Sequence, residues 1–358
     1  MSRPGRGFDP SRWDESDVRS RPSKKGSRPR TKLRPKHEGA VTGRVITVDR
    51  GRYTVYVPEA GEGFHTVTAM RAKELRRSPV VTGDLVGLVG DLSGRDGTLA
   101  RIVRVEDRST VLRRSADDSD AFERVVVANV DTLVIMVAAA NPEPRTGFID
   151  RALVAAYDAG IHPVLCITKT DLRDPGGLLD HYRHLDLEVL TSAAAEDGRL
   201  DPGLLSALRT RLQGHLSVLV GPSGVGKSTL LNALTGTERA TGHVNTVTGR
   251  GRHTSSSTVA IPLPGPDDKA DAAGDKTATS WLVDTPGIRS FGLGLVDPDR
   301  VVEAFDDLAP ALADCPKGCT HAADEPGCAL DAWVASGHAG PSGPERLASL
   351  RRLLPEDR

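Results

Sequence analysis

Gly221-Pro222-Ser223-Gly224-Val225-Gly226-Lys227-Ser228-Thr229 reads G-x-x-x-x-G-K-[ST], the pattern of a phosphate-binding loop. Upstream, His215-Leu-Ser-Val-Leu-Val220 is a short β-branched run suited to a buried parallel strand. Downstream, Leu230-Leu-Asn-Ala-Leu234 continues as an apolar helix. A strand feeding a glycine loop that opens a helix aims backbone N–H groups and the helix dipole at one point, which suits a nucleotide's β-phosphate. Gly221, Gly224 and Gly226 permit backbone angles and close approach that a Cβ obstructs. Lys227, a candidate catalytic residue, is placed to reach the β- and γ-phosphates, and the Ser228 hydroxyl to bind Mg²⁺. The alternative is a glycine turn that only links strand to helix; strand, loop, Lys-Ser and helix together weigh against it.

Around this loop the pattern is α/β. Asp131–Val137, Ile161–Ile167 and Leu187–Leu190 read as buried strands, Phe148–Ala159 as an amphipathic helix and Pro202–Leu212 as another helix. Thr258–Pro262 and Ser280–Val283 add two strands, with the polar insertion Pro264–Lys276 between them. Apolar strands alternating with helices predict a parallel sheet covered on both faces. In such a sheet ligands sit at the carboxyl ends of the strands, so the residues just after strands carry the information.

Three further post-strand segments bear recognisable chemistry. Asp284-Thr-Pro-Gly287 matches the D-x-x-G that meets Mg²⁺ through water and the γ-phosphate through the glycine N–H. Thr168-Lys169-Thr170-Asp171 resembles the [NT]-K-x-D guanine reader: Asp171 accepts N1–H and N2–H of the base, and the stem of Lys169 lies along it. Adenine offers neither donor and leaves that carboxylate unpaired. Ser192-Ala193 resembles the loop whose backbone N–H meets guanine O6. The usual order places the phosphate loop first and the base reader last; here the base reader precedes the phosphate loop and D-x-x-G follows it. The domain is circularly permuted, which closely placed termini tolerate.

N-terminal to this lie two other regions. Residues 1–36 hold twelve Lys/Arg and four acids, a net of +8 in a chain whose formal charge is −1. This stretch, rich in Pro, Gly and Ser and without periodicity, reads within 1–38 as an unordered arm for a polyanion, most simply RNA, or as a solvated tail. Residues 39–107 alternate with period two and carry turn signals such as Asp49-Arg-Gly-Arg52, predicting about five short strands closed into an OB-type barrel. Arg71, Lys73, Arg76 and Arg77 give it a basic edge, and its few aromatics favour backbone and shape recognition over base stacking. A purely structural barrel is the alternative. Residues 108–130 read as a connector, 131–295 as the permuted GTPase domain and 296–358 as a small helical domain.

That last region contains Cys315-Pro-Lys-Gly-Cys319-Thr-His321 and then Cys328. Three thiolates and an imidazole satisfy tetrahedral Zn²⁺ and leave no open position for catalysis. Four cysteines in 358 residues make no disulfide framework, and Cys166 reads as core. No apolar leader begins the chain and the longest apolar run, Leu133 to Ala140, is too short for a membrane span, so a cytoplasmic protein is expected.

Taken together the chain resembles, from about residue 40 onward, the circularly permuted, small-ribosomal-subunit-dependent GTPases of the RsgA (YjeQ) family. Ala128-Asn-Val-Asp131 and Gly251-Arg-His-Thr254 are also family-like. The resemblance implies a GTPase acting late in 30S subunit maturation, stimulated by that subunit, contacting 16S rRNA and working as a monomer. It also nominates His253 to position the attacking water, since Ile288 stands where many GTPases carry Gln and has no donor or acceptor. Thr254 is the implied switch-I ligand to Mg²⁺, followed by Ser255-Ser256-Ser257 where threonines are common. Thr168 stands where many members have Asn, so loss of an amide that braces the phosphate loop is expected. Two rivals stay open on the residues alone. An ATP-using P-loop protein would have no use for Asp171, and an RNA clamp using GTP only as a conformational ligand would show no stimulation by 30S subunits.

Overall fold

The computed structural model describes residues 37, 39–58, 64–75, 79–115, 123–183, 185, 187–193, 200–236, 258–263, 280–285, 291, 293 and 296–354. All elements below belong to the unit Gly39–Arg358. The basic arm (His37 apart), Arg76, Arg77 and the 264–276 insertion lie outside the described residues.

Five strands come first: β1 (Val41–Asp49), β2 (Arg52–Pro58), β3 (Phe64–Arg71), β4 (Leu85–Gly90) and β5 (Ala100–Val105). They pair in the order β1-β2-β3-β5-β4, and β4 returns to β1, closing the expected barrel. Period-two alternation builds it. Tyr53, Val55, Val57, Val67 and Ala69 point inward against Val86, Leu88 and Ile102, while Arg52, Thr68, Met70 and Arg101 stay outside.

The stretch read as a connector is instead a hairpin of β6 (Val111–Ser115) and β7 (Glu123–Ala128). Leu112 and Val127 enter the main hydrophobic core, which a solvated link would not do.

The α/β layer then runs β8 (Thr132–Ala138), α1 (Thr146–Asp158), β9 (His162–Thr168), α2 (Gly176–Tyr182), β10 (Glu188–Thr191), α3 (Pro202–Leu212), β11 (Leu216–Val220), α4 (Lys227–Thr235), β12 (Val259–Pro262) and β13 (Trp281–Asp284). The order β10-β9-β8-β11-β13 is parallel throughout. Leu133, Ile135 and Val137 of β8 face α1, and Val134, Met136 and Ala138 join the cluster that contains α3 and α4. A strand buried on both faces needs an unbroken apolar run, and this one has it. The sheet is parallel from β10 to β13 and antiparallel where β12 pairs with β13, as a hairpin connection between those two strands requires. β12 also pairs with β1 through Thr47 and Val259, so barrel and α/β sheet are one sheet of eleven strands.

The C-terminal segment holds α5 (Pro298–Glu303), a 3₁₀ turn (Ala309–Asp314), α6 (Leu330–Ala335) and α7 (Gly343–Arg351). Its core of Val301, Val302, Phe305, Leu308, Leu330 and Leu350 includes Val154 of α1. Helix α1 is therefore packed against the sheet on one side and this segment on the other. Among the described residues no helix is long and apolar enough to cross a membrane.

Candidate nucleotide site and metal centre

Parallel register brings the informative loops to one edge. Ala138 sits beside Thr168, Ile167 beside Thr191, Ile135 beside Val220 and Leu219 beside Asp284. The chain therefore leaves β8, β9, β10, β11 and β13 on the same side, where a ligand of an open α/β sheet binds.

The phosphate loop is wedged tightly between its neighbours. A Cβ on Gly221 would lie 2.4 Å from the Met136 carbonyl oxygen, so only glycine lets β11 turn this close to β8. The Lys227 ammonium donates to the carbonyls of Gly221 and Pro222, each at 2.6 Å. Burial pushes this amine below the usual lysine range, with the nearby Asp284 carboxylate pulling the other way. Val225 is buried, whereas Ser223, Gly224, Ser228 and Thr229 are exposed at the mouth. Helix α4 begins with Leu230 N–H donating to Gly226 at 2.9 Å.

Thr168 corrects an expectation. Its buried hydroxyl lies 2.8 Å from the Val225 carbonyl and 3.2 Å from that of Val137. One hydroxyl has one proton, and the shorter contact to Val225 is the stronger claim on it. The brace between base reader and phosphate loop is kept, made by a hydroxyl rather than an amide.

The rest of the base reader is held from two sides. Lys169, at φ 57°, donates its ammonium to the Asn141 carbonyl. Thr170 N–H donates to Ser192 O at 3.2 Å, and Ser192 N–H to Ile167 O at 2.9 Å, which ties the 168–171 and 192–193 segments together. Asp171 and Ala193 face solvent at that edge. Arg173 makes a two-armed pair with Glu143, both contacts 2.6 Å. Beyond β13, the Thr285 hydroxyl donates to Leu219 O at 2.9 Å and fixes the start of D-x-x-G against the phosphate-loop strand. Gly287, His253 and Thr254 lie outside the described residues. Asn141, Glu143 and Arg173 escaped sequence reading, although 139–145 follows a parallel strand and that position was the available signal.

Cys315, Cys319, His321 and Cys328 converge, with their ligand atoms all within 4.8 Å of one another. His321 Nδ1 lies 3.7 Å from Cys315 Sγ and 3.8 Å from Cys328 Sγ. A tetrahedral ion with bonds of about 2.1 and 2.3 Å sets such atoms roughly 3.6–3.8 Å apart, so the spacing fits zinc. His321 Nε2–H donates to Asp299 at 2.9 Å, which leaves Nδ1 as the lone-pair atom facing the sulfurs. Burial pushes the Cys319 thiol up to about 11 and raises that of Cys315. Cys166, in β9, is buried as expected, its thiol pushed up to about 12 by burial.

The profile of the RsgA GTPase family matches residues 105–294. The small ribosomal subunit biogenesis GTPase RsgA of Pseudomonas aeruginosa (strain LESB58) is 38% identical over 283 residues, 77% of this chain and 75% of that protein. The protein of the same name from Ectopseudomonas mendocina (strain ymp) is 40% identical over 290 residues, 78% of this chain and 76% of its own. Among solved structures, YjeQ from Thermotoga maritima superposes with a TM-score of 0.62 at 23% identity, covering 89% of this chain and 99% of that one. YloQ, a circularly permuted GTPase, gives 0.58 at 22% identity, with 90% and 99% covered. At those identities the two structures speak to the fold.

Proposed function

We propose how this chain, which belongs to the RsgA GTPase family, carries out its function. It is a GTP-hydrolysing enzyme of small ribosomal subunit biogenesis, and its working partner is the 30S subunit. The observation that carries the site assignment is the convergence of base reader, phosphate loop and Asp284 at one sheet edge, with Thr168 joined to Val225 across it.

In this reading residues 221–229 wrap the phosphates, and Lys227 exchanges its loop carbonyls for the β- and γ-phosphate oxygens. Its desolvated ammonium gains more from an anion than a solvated one would. Ser228 and Thr254 would hold Mg²⁺, with Asp284 nearby, and the ion would neutralise phosphate charge. The Gly287 N–H meets the γ-phosphate, and His253 orients the water. Asp171 reads the guanine edge, Lys169 lines the base and the Ala193 N–H meets O6. The Cys315, Cys319, His321 and Cys328 set holds structural zinc. Ligands from one short segment make that segment rigid only when the metal is in place.

The barrel supplies the 16S rRNA contact. Arg52, Met70 and Arg101 lie directly across from one another on β2, β3 and β5, all exposed on the outer face. Arg50 and Arg95 stand exposed in the adjoining β1–β2 and β4–β5 loops. Those strands and loops are where OB folds take oligonucleotides, and the charge suits phosphates. Work on ribosomal subunits places the protein in the cytoplasm, and we take it to act as a monomer.

Asp171→Asn tests the guanine assignment. An amide cannot accept two base protons, so GTP affinity should fall about tenfold or more, with xanthosine triphosphate gaining in relative affinity. A variant that kept wild-type preference for GTP over both ATP and xanthosine triphosphate, measured by competition, would contradict the assignment.

A further inference from the structure

Asp150 lies on α1, between the nucleotide loops and the cysteine-bearing segment, and is 1% exposed. A carboxylate taken out of water needs donors for both oxygens. Tyr182, at the end of α2, donates its hydroxyl to Oδ1 at 2.8 Å, and Ser349 on α7 donates its hydroxyl to Oδ2. Burial first, and then the charge of Asp150, raise the Tyr182 phenol, so it stays a donor. The buried Arg346 of α7, paired with Asp307 at 2.6 Å, adds positive potential on the same side.

The two donors belong to different parts of the molecule. Helix α2 follows the base-reader loop directly, and the Tyr182 hydroxyl also lies 3.3 Å from the Thr146 carbonyl at the start of α1. Just before Thr146 is the loop whose Asn141 carbonyl takes the Lys169 ammonium and whose Glu143 pairs with Arg173. Ser349, in contrast, belongs to the segment that carries the four metal-ligating residues. Other polar links along this seam, Arg300 to Asp158 at 2.9 Å and His181 of α2 to Glu345 of α7 at 3.4 Å, each have a solvated partner and are cheap to exchange for water. Asp150 is not. Pulling α7 away takes the Ser349 donor from Oδ2.

We propose that Asp150 is a positioning residue that couples docking of the cysteine-bearing segment to the guanine-reading loop. Engagement of Ser349 holds α1 and α2, and through them Lys169 and Asp171, in the arrangement that binds the base. The inference rests on the guanine site assigned above. Coupling is reciprocal: a partner that pulls the segment off α1 loosens the base, and a bound base strengthens docking by the same factor.

The test uses the full chain and measures release of fluorescent GDP together with affinities for GDP and inosine diphosphate. Asp150→Ala strips both bonds from a buried site and risks the fold, so Ser349→Ala is the deciding variant; it removes only the far hydroxyl. GDP release is expected to quicken about fivefold, and the preference for GDP over inosine diphosphate to shrink by a similar factor. Inosine lacks the 2-amino group and never uses that half of Asp171, so only a displaced base reader narrows the gap. Tyr182→Phe should do the same, and the double variant little more than either single one. Unchanged GDP release in Ser349→Ala, or equal weakening of both diphosphates, overturns the proposal. A wild-type chain that did not prefer GDP over ADP would instead overturn the guanine site, so the two failures are told apart.

Discussion

At position 168 a hydroxyl bridges base reader and phosphate loop, and its strength can be measured alone. Thr168→Val keeps the shape and removes the donor, leaving the Val225 carbonyl unpaired in a buried place. A neutral hydrogen bond contributes about 1 kcal/mol net, so GTP affinity should fall about fivefold while guanine preference survives. Equilibrium titration with fluorescent GDP and ADP checks both halves; an unchanged GDP affinity would make the brace ornamental. Other residues divide by how local their chemistry is. The 221–229 and 168–171 loops stood out in the sequence because their patterns run through adjacent residues, and the structure joins them through Thr168 and Val225. Asp150 was not, since a lone Asp on an amphipathic helix reads as part of the solvated face, and its partners Tyr182 and Ser349 are far away in sequence.

Among the elements, the cysteine cluster yields a countable expectation. With metal bound, the native protein should resist alkylation at all four thiols near pH 8. Three are then metal ligands, and Cys166 is buried with its thiol pushed up to about 12. Chelation should release three alkylatable thiols and denaturation a fourth, read by intact mass. Three reactive thiols before chelation would argue against a metal centre. The junction between barrel and α/β sheet offers a second expectation. Gly83 has φ +91°, and a Cβ there would stand 2.1 Å from the Ala128 carbonyl oxygen. Thr82, beside it, donates to Thr258 O at 3.2 Å, next to the β1–β12 pairing. Gly83→Ala should therefore cost about 2 kcal/mol or more in denaturant unfolding, by forcing a strained backbone and a shifted contact. A loss under ~0.5 kcal/mol would show that the junction gives way freely. Barrel strands were readable from alternation, yet the fusion of the two sheets was not. A pairing through Thr47 and Val259 leaves no periodic signature, and the β6–β7 hairpin hid because the charge-rich sequence 113–124 separates two short apolar runs, Val111-Leu112 and Val125–Ala128.

Across the whole molecule, a permuted order has rearranged the chain without moving the chemistry. Base reader, phosphate loop and Asp284 arrive from different parts of the sequence at one edge of one sheet. What the chain lacks is a side chain after D-x-x-G able to orient water, for Ile288 has neither donor nor acceptor. With that role proposed for His253 instead, hydrolysis by the protein alone should be slow, with partner contact bringing the site to full activity. The barrel's exposed arginines and the α1-docked, cysteine-bearing segment are the two surfaces we propose for a large partner. The most direct test is the rate of GTP hydrolysis by the full chain alone and with purified 30S, 50S or 70S particles. We expect stimulation of about tenfold or more by 30S particles, little by 50S, and loss of turnover in Lys227→Ala under every condition. A rate unchanged by 30S particles, or raised equally by 50S, would contradict this.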